Sequence, residues 1–144
     1  ASYVDSGALP VAPLSGSQLI QLRTRDLPGI VADSHQGLKL SEKEVGHIGH
    51  GSYLCYQGIN LTDIRQIIAY VASAGTGGEI QLRLGSMDGQ LIGKVEVTPN
   101  GSWSEYFDQP INISPTSGRH DLYVCFDKPG VRSGMMNLAS LSFR

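Results

Sequence analysis

Hydrophobic and polar residues alternate along several short stretches of the chain. The alternation is clearest in residues 79–84, where every second residue is Ile or Leu and the others are charged or polar. A period of two places the apolar side chains on one face of a strand. Residues 92–97 carry a similar apolar pattern, and the Asp and Gly within residues 87–90 tolerate the backbone angles of a tight turn. The sequence therefore predicts two strands joined by a tight turn.

Other short segments have the features of strands and of the turns between them. Residues 64–73 fit one face of a helix, but their β-branched side chains and the glycines that follow favour a strand. No long helical pattern occurs, and turn-forming residues separate the apolar segments. These features predict an all-β fold, either a sandwich or a barrel. Further strands are predicted at residues 18–25, 46–56, 106–113, 120–126 and 135–143.

The length and charge of the chain limit the classes of protein to which it can belong. Its 144 residues are enough for one domain with a buried core. The formal net charge of -2 argues against a nucleic-acid partner, because binding to phosphates needs a positive surface. No apolar run is long enough to span a bilayer and no signal peptide is recognisable, so we expect no membrane partner.

The first residues differ in composition from the rest of the chain. Residues 1–17 are small and polar, with Pro10 and Pro13 among Gly, Ser and Ala. This composition is typical of a linker from an upstream domain or of an extended arm. The predicted domain therefore covers residues 18–144. Because residue 1 is Ala and not Met, we expect the chain to be a processed or excised piece.

The only tryptophan, Trp103, follows the loop sequence Pro99-Asn100-Gly101-Ser102. A side chain on a surface loop can present a flat ring to a sugar. The alternative is an indole that plugs the end of the fold. His47 and His50 lie in a glycine-rich loop, but two histidines without a third ligand are a weak signal for a metal site.

Several separate motifs resemble family-six carbohydrate-binding modules. Residues 71–97, followed by Gly101-Ser102-Trp103, resemble the central region of those modules. Three further segments resemble the part before the middle strands, the penultimate strand and the last strand: residues 45–56, 117–126 and 136–143. The resemblance covers residues 19–144. It implies a two-sheet β-sandwich, a jelly roll, that binds glycans and catalyses nothing.

The resemblance also implies a sugar site among the loops at one end of the sandwich. There, two aromatic rings clamp a sugar ring, while an asparagine and an acidic side chain bond its hydroxyl groups. Trp103 stands at one clamp position, Asn137 matches the asparagine, and Asp33 falls near the acidic position. His47 stands where the family commonly has Tyr or Trp. We therefore expect weaker binding, a different glycan or no glycan at all.

A secondary site on the concave face of one sheet is implied as well. Tyr53 matches an aromatic residue that the family exposes there, and Arg83 and Tyr123 are expected on the same surface. Cys55 and Cys125 should share this face, outside the core. They could form a disulfide or remain two free thiols, and the geometry of the pair decides between these alternatives.

The family usually holds a structural calcium between its first and last strands. The matching positions in this chain are Gln21, Arg23 and Ala139. Calcium prefers oxygen ligands with negative charge, so an arginine is unsuitable beside it. We therefore expect this calcium to be absent, and we expect no other cofactor.

The acidic residues of the chain are scattered, and no pair of carboxylates suited to glycoside hydrolysis is recognisable. The expected function is a non-catalytic module that binds a polysaccharide or oligosaccharide. The module would be joined to an upstream domain of a larger carbohydrate-active protein that is secreted, periplasmic or on the cell surface. The alternative is a structural or protein-docking sandwich that has lost the sugar site, and His47 is the main argument for it.

Overall fold

The computed structural model describes residues 26–144, which form short β-strands and one turn of 3-10 helix at Gly29–Val31. The arm predicted at residues 1–17 and the strand predicted at residues 18–25 lie outside the described residues. The strands in chain order are β1 (Asp26–Pro28), β2 (Ser34–Gln36), β3 (Lys39–Leu40), β4 (Val45–Gly46), β5 (Tyr53–Asn60), β6 (Gln66–Ala72), β7 (Gly78–Leu84), β8 (Gln90–Val97), β9 (Phe107–Asn112), β10 (Arg119–Asp127) and β11 (Asn137–Phe143).

The strands form two antiparallel sheets. The first sheet has the order β3-β4-β11-β6-β9, and β1 also pairs with β11. The second sheet has the order β2-β5-β10-β7-β8. This is the predicted all-β sandwich of the jelly-roll type, in which the two sheets bury their apolar faces against each other. The described residues include no helix that is long and apolar enough to cross a membrane.

The hairpin of β7 and β8 shows where the alternation of the sequence holds and where it fails. In β7, Ile80 and Leu82 are fully buried, as their period of two predicts. In β8, a β-bulge interrupts the pairing, because Leu82 pairs with Gly93 whereas the next residue of β7 pairs with Leu91. Ile92 is the extra residue of this bulge, so the inward-facing positions of β8 do not follow a strict alternation.

The segment at residues 64–73, which also fits a helical face, contains the strand β6. This strand pairs with β11 on one side and with β9 on the other. Ile67, Ala69 and Val71 are fully buried, because they alternate onto the inner face of the sheet. The prediction of a strand is therefore confirmed.

The inner faces of the two sheets share one hydrophobic core. Its largest polar member is Tyr56, whose hydroxyl donates a hydrogen bond to the carbonyl oxygen of Gly29 at 2.8 Å. Burial, and to a smaller extent the charge of Asp33, raises the pKa of Tyr56 far above its usual value. The phenol therefore stays a hydrogen-bond donor. Other large side chains that are buried in this core include Ile48, Leu54, Phe126, Met135 and Met136.

Candidate functional site

An open cavity of about 600 Å³ lies at one end of the sandwich, where β4 runs beside the start of β11. Its walls come from three parts of the chain that are distant in sequence: residues 39–47, the loop between β8 and β9, and residues 133–137. This volume is in the range of sites that bury a small ligand. Trp103, His47 and Asn137 line the cavity together.

Trp103 is carried by a loop that hydrogen bonds hold in place. The side-chain oxygen of Asn100 accepts from the backbone N–H of Ser73 at 3.0 Å, and the Asn100 amide donates to the carbonyl of Glu105 at 2.6 Å. One edge of the indole lies against Gly75, where an added Cβ would be 2.9 Å from Cη2 of Trp103. Even so, 42% of the residue is exposed. The indole therefore presents a surface to the cavity and does not plug the sandwich.

Asn137 stands beside Trp103 at the first position of β11. Its Nδ2 donates to the carbonyl oxygen of Trp103 at 3.0 Å and to Oε2 of Glu44 at 3.2 Å. The other side-chain atom, Oδ1, faces Gly46, where an added Cβ would come within 3.2 Å of it. The residue is only 9% exposed. These contacts fix the amide so that the indole and Asn137 form one wall of the cavity.

Glu44 is the carboxylate of the cavity, and sequence reasoning did not identify it. Its Oε1 accepts a hydrogen bond of 2.6 Å from the hydroxyl of Tyr106. Burial, together with the hydrogen bond and the charge of Glu44, raises the pKa of Tyr106 far above its usual value. Tyr106 therefore remains a donor to Glu44. The only signal for Glu44 in the sequence is its place directly before the Val45-Gly46-His47 motif.

The structure does not bring Asp33 into the cavity. Its exposed carboxylate accepts a hydrogen bond of 2.7 Å from the backbone N–H of Gln57, so it lies beside β5 in the second sheet. His47, in contrast, is exposed at the cavity with a left-handed backbone of φ 53°. Histidine tolerates this conformation better than most residues do. The predicted set of four therefore divides into three residues at one site and Asp33 elsewhere.

The two histidines of the glycine-rich loop have different surroundings, because His47 lines the cavity and His50 contacts Lys128 and Asp127. Nδ1 of His50 accepts from the backbone N–H of Lys128 at 3.0 Å and lies 3.1 Å from the carboxylate of Asp127. In residues 26–144, no group of three or more His, Cys, Asp or Glu side chains is arranged to hold a metal ion. Of the three positions matched to the family's calcium, Gln21 and Arg23 lie outside the described residues. Ala139 lies in β11, and its side chain is a methyl group, which cannot coordinate a cation.

The outer face of the second sheet carries the other predicted residues. The rings of Tyr53 and Tyr123 contact each other, with centroids 5.5 Å apart and planes tilted by 45°. Arg83 lies opposite Tyr123 in the neighbouring strand. Its guanidinium donates to the side-chain oxygen of Gln81 and to the carbonyl of Gly89. The three residues predicted for a secondary site therefore share one face.

Cys55 and Cys125 lie on this face and form no disulfide. In the pairing of β5 with β10, Cys55 is opposite Tyr123 and Cys125 is opposite Tyr53, so the two thiols are diagonal neighbours. Both cysteines are buried. Burial raises the pKa of the Cys125 thiol to about 11, against a smaller lowering by Arg83. The alternative of two free thiols is the one found.

Known proteins resemble this chain in sequence. The family model for carbohydrate binding module (family 6) matches residues 25–144. Endo-1,4-beta-xylanase A of Thermoclostridium stercorarium is 28% identical over 130 residues, which are 88% of this chain and 20% of the xylanase. The chain thus spans about a fifth of the length of this relative.

Solved structures share the fold. A family 6 carbohydrate-binding module from Clostridium cellulolyticum, in complex with xylose, is 29% identical with a TM-score of 0.77, covering 83% of this chain and 95% of that one. A β-1,3-glucan binding module of the same family from Bacillus halodurans is 26% identical with a TM-score of 0.77, covering 83% and 94%. Since the family model matches the whole of the described sandwich, this chain belongs to family 6 of the carbohydrate-binding modules.

Proposed function

We propose that this module binds a neutral glycan in the cavity between Trp103 and His47. The observation that carries the proposal is the fixed pair of Trp103 and Asn137, in which the amide donates to the tryptophan carbonyl at 3.0 Å. A pyranose has C–H faces that pack on an aromatic ring and hydroxyl groups that need directed partners. The exposed indole supplies the first kind of contact, and the polar groups beside it supply the second.

Asn137 and Glu44 favour sugar hydroxyls that act as donors, whereas Lys39, which also lines the cavity, can donate to a sugar oxygen. Both hydrogens of the Asn137 amide are used inside the protein, so its oxygen is the atom left to accept from a ligand. The carboxylate of Glu44 accepts further hydrogen bonds and carries a negative charge that disfavours a uronic acid in contact with it. We therefore assign to Glu44 the acidic role that was predicted for Asp33. His47 offers less apolar area than Tyr or Trp, so the indole provides most of the stacking.

We also propose that the chain itself cleaves no glycoside. Hydrolysis normally requires two carboxylates across the scissile bond. Among the described residues that line the cavity, Glu44 is the one acidic side chain. This agrees with the non-catalytic character of the family. A catalytic partner would belong to another domain of the same protein.

The match to part of a xylanase supports the proposal that this module is joined to a larger, exported carbohydrate-active protein. We propose that residues 1–17 link it to an upstream domain and that the whole protein is secreted, periplasmic or on the cell surface. Related modules of known structure are in complex with xylose or cellobiose, and another binds β-1,3-glucan. Neutral sugars of these kinds are therefore the first ligands to test.

Titration calorimetry with xylo-, cello- and β-1,3-gluco-oligosaccharides tests the site. Trp103→Ala should weaken binding by about 1–3 kcal/mol, because the main stacking surface is lost. Tyr53→Ala removes an aromatic ring from the other sheet and serves as the matched control, with unchanged affinity expected. The reverse result, in which Tyr53→Ala abolishes binding and Trp103→Ala does not, would place the site on the outer face of the second sheet. Absence of binding to every glycan would favour the structural or docking sandwich.

A further inference from the structure

A second exposed aromatic ring lies on the outer face of the first sheet. Tyr70 in β6 is 41% exposed. Among the aromatic residues of the described range 26–144, Trp103 is the other one that is exposed to this degree. Its ring stacks on that of Tyr106, with centroids 5.3 Å apart and an angle of 29° between the planes. Its neighbours Ala69 and Val71 are fully buried, so Tyr70 faces away from the core.

Polar side chains flank the Tyr70 ring on both sides. Asp108 of β9 and Ser140 of β11 are its direct partners in the pairing of the sheet. Directly paired residues of neighbouring strands project from the same face. An exposed ring between a carboxylate and a hydroxyl combines a stacking surface with hydrogen-bonding groups, which is the combination that a sugar requires.

This aromatic pair is connected to the cavity by hydrogen bonds. The hydroxyl of Tyr106 donates to Oε1 of Glu44, and Oε2 of the same carboxylate accepts from Asn137. Glu44 and Asn137 both line the cavity. The stacked rings therefore adjoin the Trp103 site and do not form an isolated patch elsewhere on the surface.

We propose that Tyr70, supported by Tyr106 and flanked by Asp108 and Ser140, forms an extension subsite for a further sugar of the glycan held at Trp103. The proposal rests on the proposed function of the cavity. Its occupant is a neutral oligosaccharide, because a carboxylate stands at each subsite: Glu44 in the cavity and Asp108 beside Tyr70. Such a subsite lets the module hold a longer segment of a polysaccharide than the cavity alone can contact.

The chain-length dependence of binding tests this subsite. The full chain and its Tyr70→Ala variant are titrated with xylo- and cello-oligosaccharides of one to six residues. Tyr70→Ala should weaken binding of the longest oligosaccharides about tenfold, the value of one aromatic contact, and should leave the shortest ones unchanged. Tyr70→Phe, which keeps the ring, should retain the affinity for long chains. Leu91→Ala, which removes an exposed apolar side chain from the other sheet, should have no effect at any length.

Asp108→Ala provides a second variant that leaves the aromatic pair intact. It should also weaken only the longer oligosaccharides. A Tyr70→Ala variant that binds every length like the unmodified protein would overturn the subsite, and the loss of binding in Trp103→Ala would still support the cavity. An equal loss at all lengths would also overturn it, because the ring would then act only by supporting Tyr106 and Glu44. If Trp103→Ala binds long chains normally, the proposed function of the cavity fails instead.

Discussion

Glu44 is the side chain on which the polar half of the cavity depends. One of its carboxylate oxygens accepts from Tyr106 and the other accepts from Asn137. Asn137 in turn donates to the carbonyl of the residue that carries the indole. A hydrogen-bond network of this kind stabilises the folded state most when every donor has an acceptor. A buried polar group that lacks a partner keeps the free-energy cost of its desolvation.

Glu44→Gln should break this hydrogen-bond network while keeping the size of the side chain. The amide oxygen of Gln can accept from Tyr106, but its NH₂ group then meets the NH₂ group of Asn137, and two donors face each other. We expect the free energy of unfolding to fall by about 1–3 kcal/mol, measured by urea denaturation, with weaker glycan binding. Glu42→Gln makes the same charge change at an exposed position and should be neutral. Equal stability of the two variants would contradict the role of Glu44.

The residues of the cavity were predictable from sequence to different degrees. Trp103, Asn137 and His47 stand within motifs of the chain, and the structure brings them together. Asp33 stands where the resemblance is loose, and its carboxylate lies beside β5. Glu44 could not be recognised, because its importance comes from Tyr106, a contact between residues 62 positions apart.

Two loops form the support beneath the indole. The segment that follows β6 is hydrogen bonded to the segment that precedes β11: Ser73 Oγ donates to the carbonyl of Met135 at 2.6 Å, and the N–H of Thr76 donates to the carbonyl of Gly134 at 3.1 Å. Gly75 lies at the centre of this contact. A Cβ at this position would be 1.8 Å from the Gly134 carbonyl oxygen and would also touch Trp103. Only glycine allows the loops to approach so closely.

Gly75→Ala should therefore push the indole and the loop before β11 away from each other. We expect a loss of about 1–3 kcal/mol of stability from overpacking, and a loss of glycan affinity of roughly tenfold or more. Calorimetry and urea denaturation measure the two effects. Gly58→Ala is the control, since it strains a left-handed backbone in open space, far from the cavity. It should lower stability without changing affinity. Normal affinity in Gly75→Ala would show that the loops do not position the indole.

The elements of the sandwich were predictable where the apolar alternation extends over a whole strand, as it does in β7. The bulge between β7 and β8 was not, because the extra residue, Ile92, is itself apolar and leaves no mark in the sequence. The short strands β2, β3 and β4 were not predictable from the sequence either. Two or three residues are too few for a periodic pattern, and these strands exist because longer neighbours offer them hydrogen bonds.

The described residues form one sandwich around a single core, so the stability of the fold reports on any ligand that binds only the folded state. This gives a test for the calcium that the resemblance implies and that Ala139 argues against. A folded-state ligand raises the unfolding free energy according to its concentration relative to its Kd.

We expect the melting temperature of the full chain to be the same with excess calcium and with a chelator. Differential scanning calorimetry in the two buffers measures this. The variant Ala139→Asp adds a carboxylate at the last-strand position that the resemblance matches to the calcium. It should remain unresponsive, because the matching first-strand positions are Gln21 and Arg23, which carry no carboxylate. A rise in melting temperature of the unmodified chain with calcium would contradict the predicted absence of the ion.

Strand β11 runs from the cavity at one pole of the sandwich to Arg144 at the other pole. It starts with Asn137 in the cavity wall and runs for seven residues, a length of about 20 Å, before Arg144. Arg144 is hydrogen bonded to Gln66 at the far end of β6, and its guanidinium lies 3.9 Å from Asp26. Asp26 and Arg144 therefore lie together at the pole opposite the proposed sugar site, and a domain linked to the described sandwich through either residue would be attached there. A domain tethered there would leave the mouth of the cavity uncovered, and the length of the tether would set how far that domain can reach from the module.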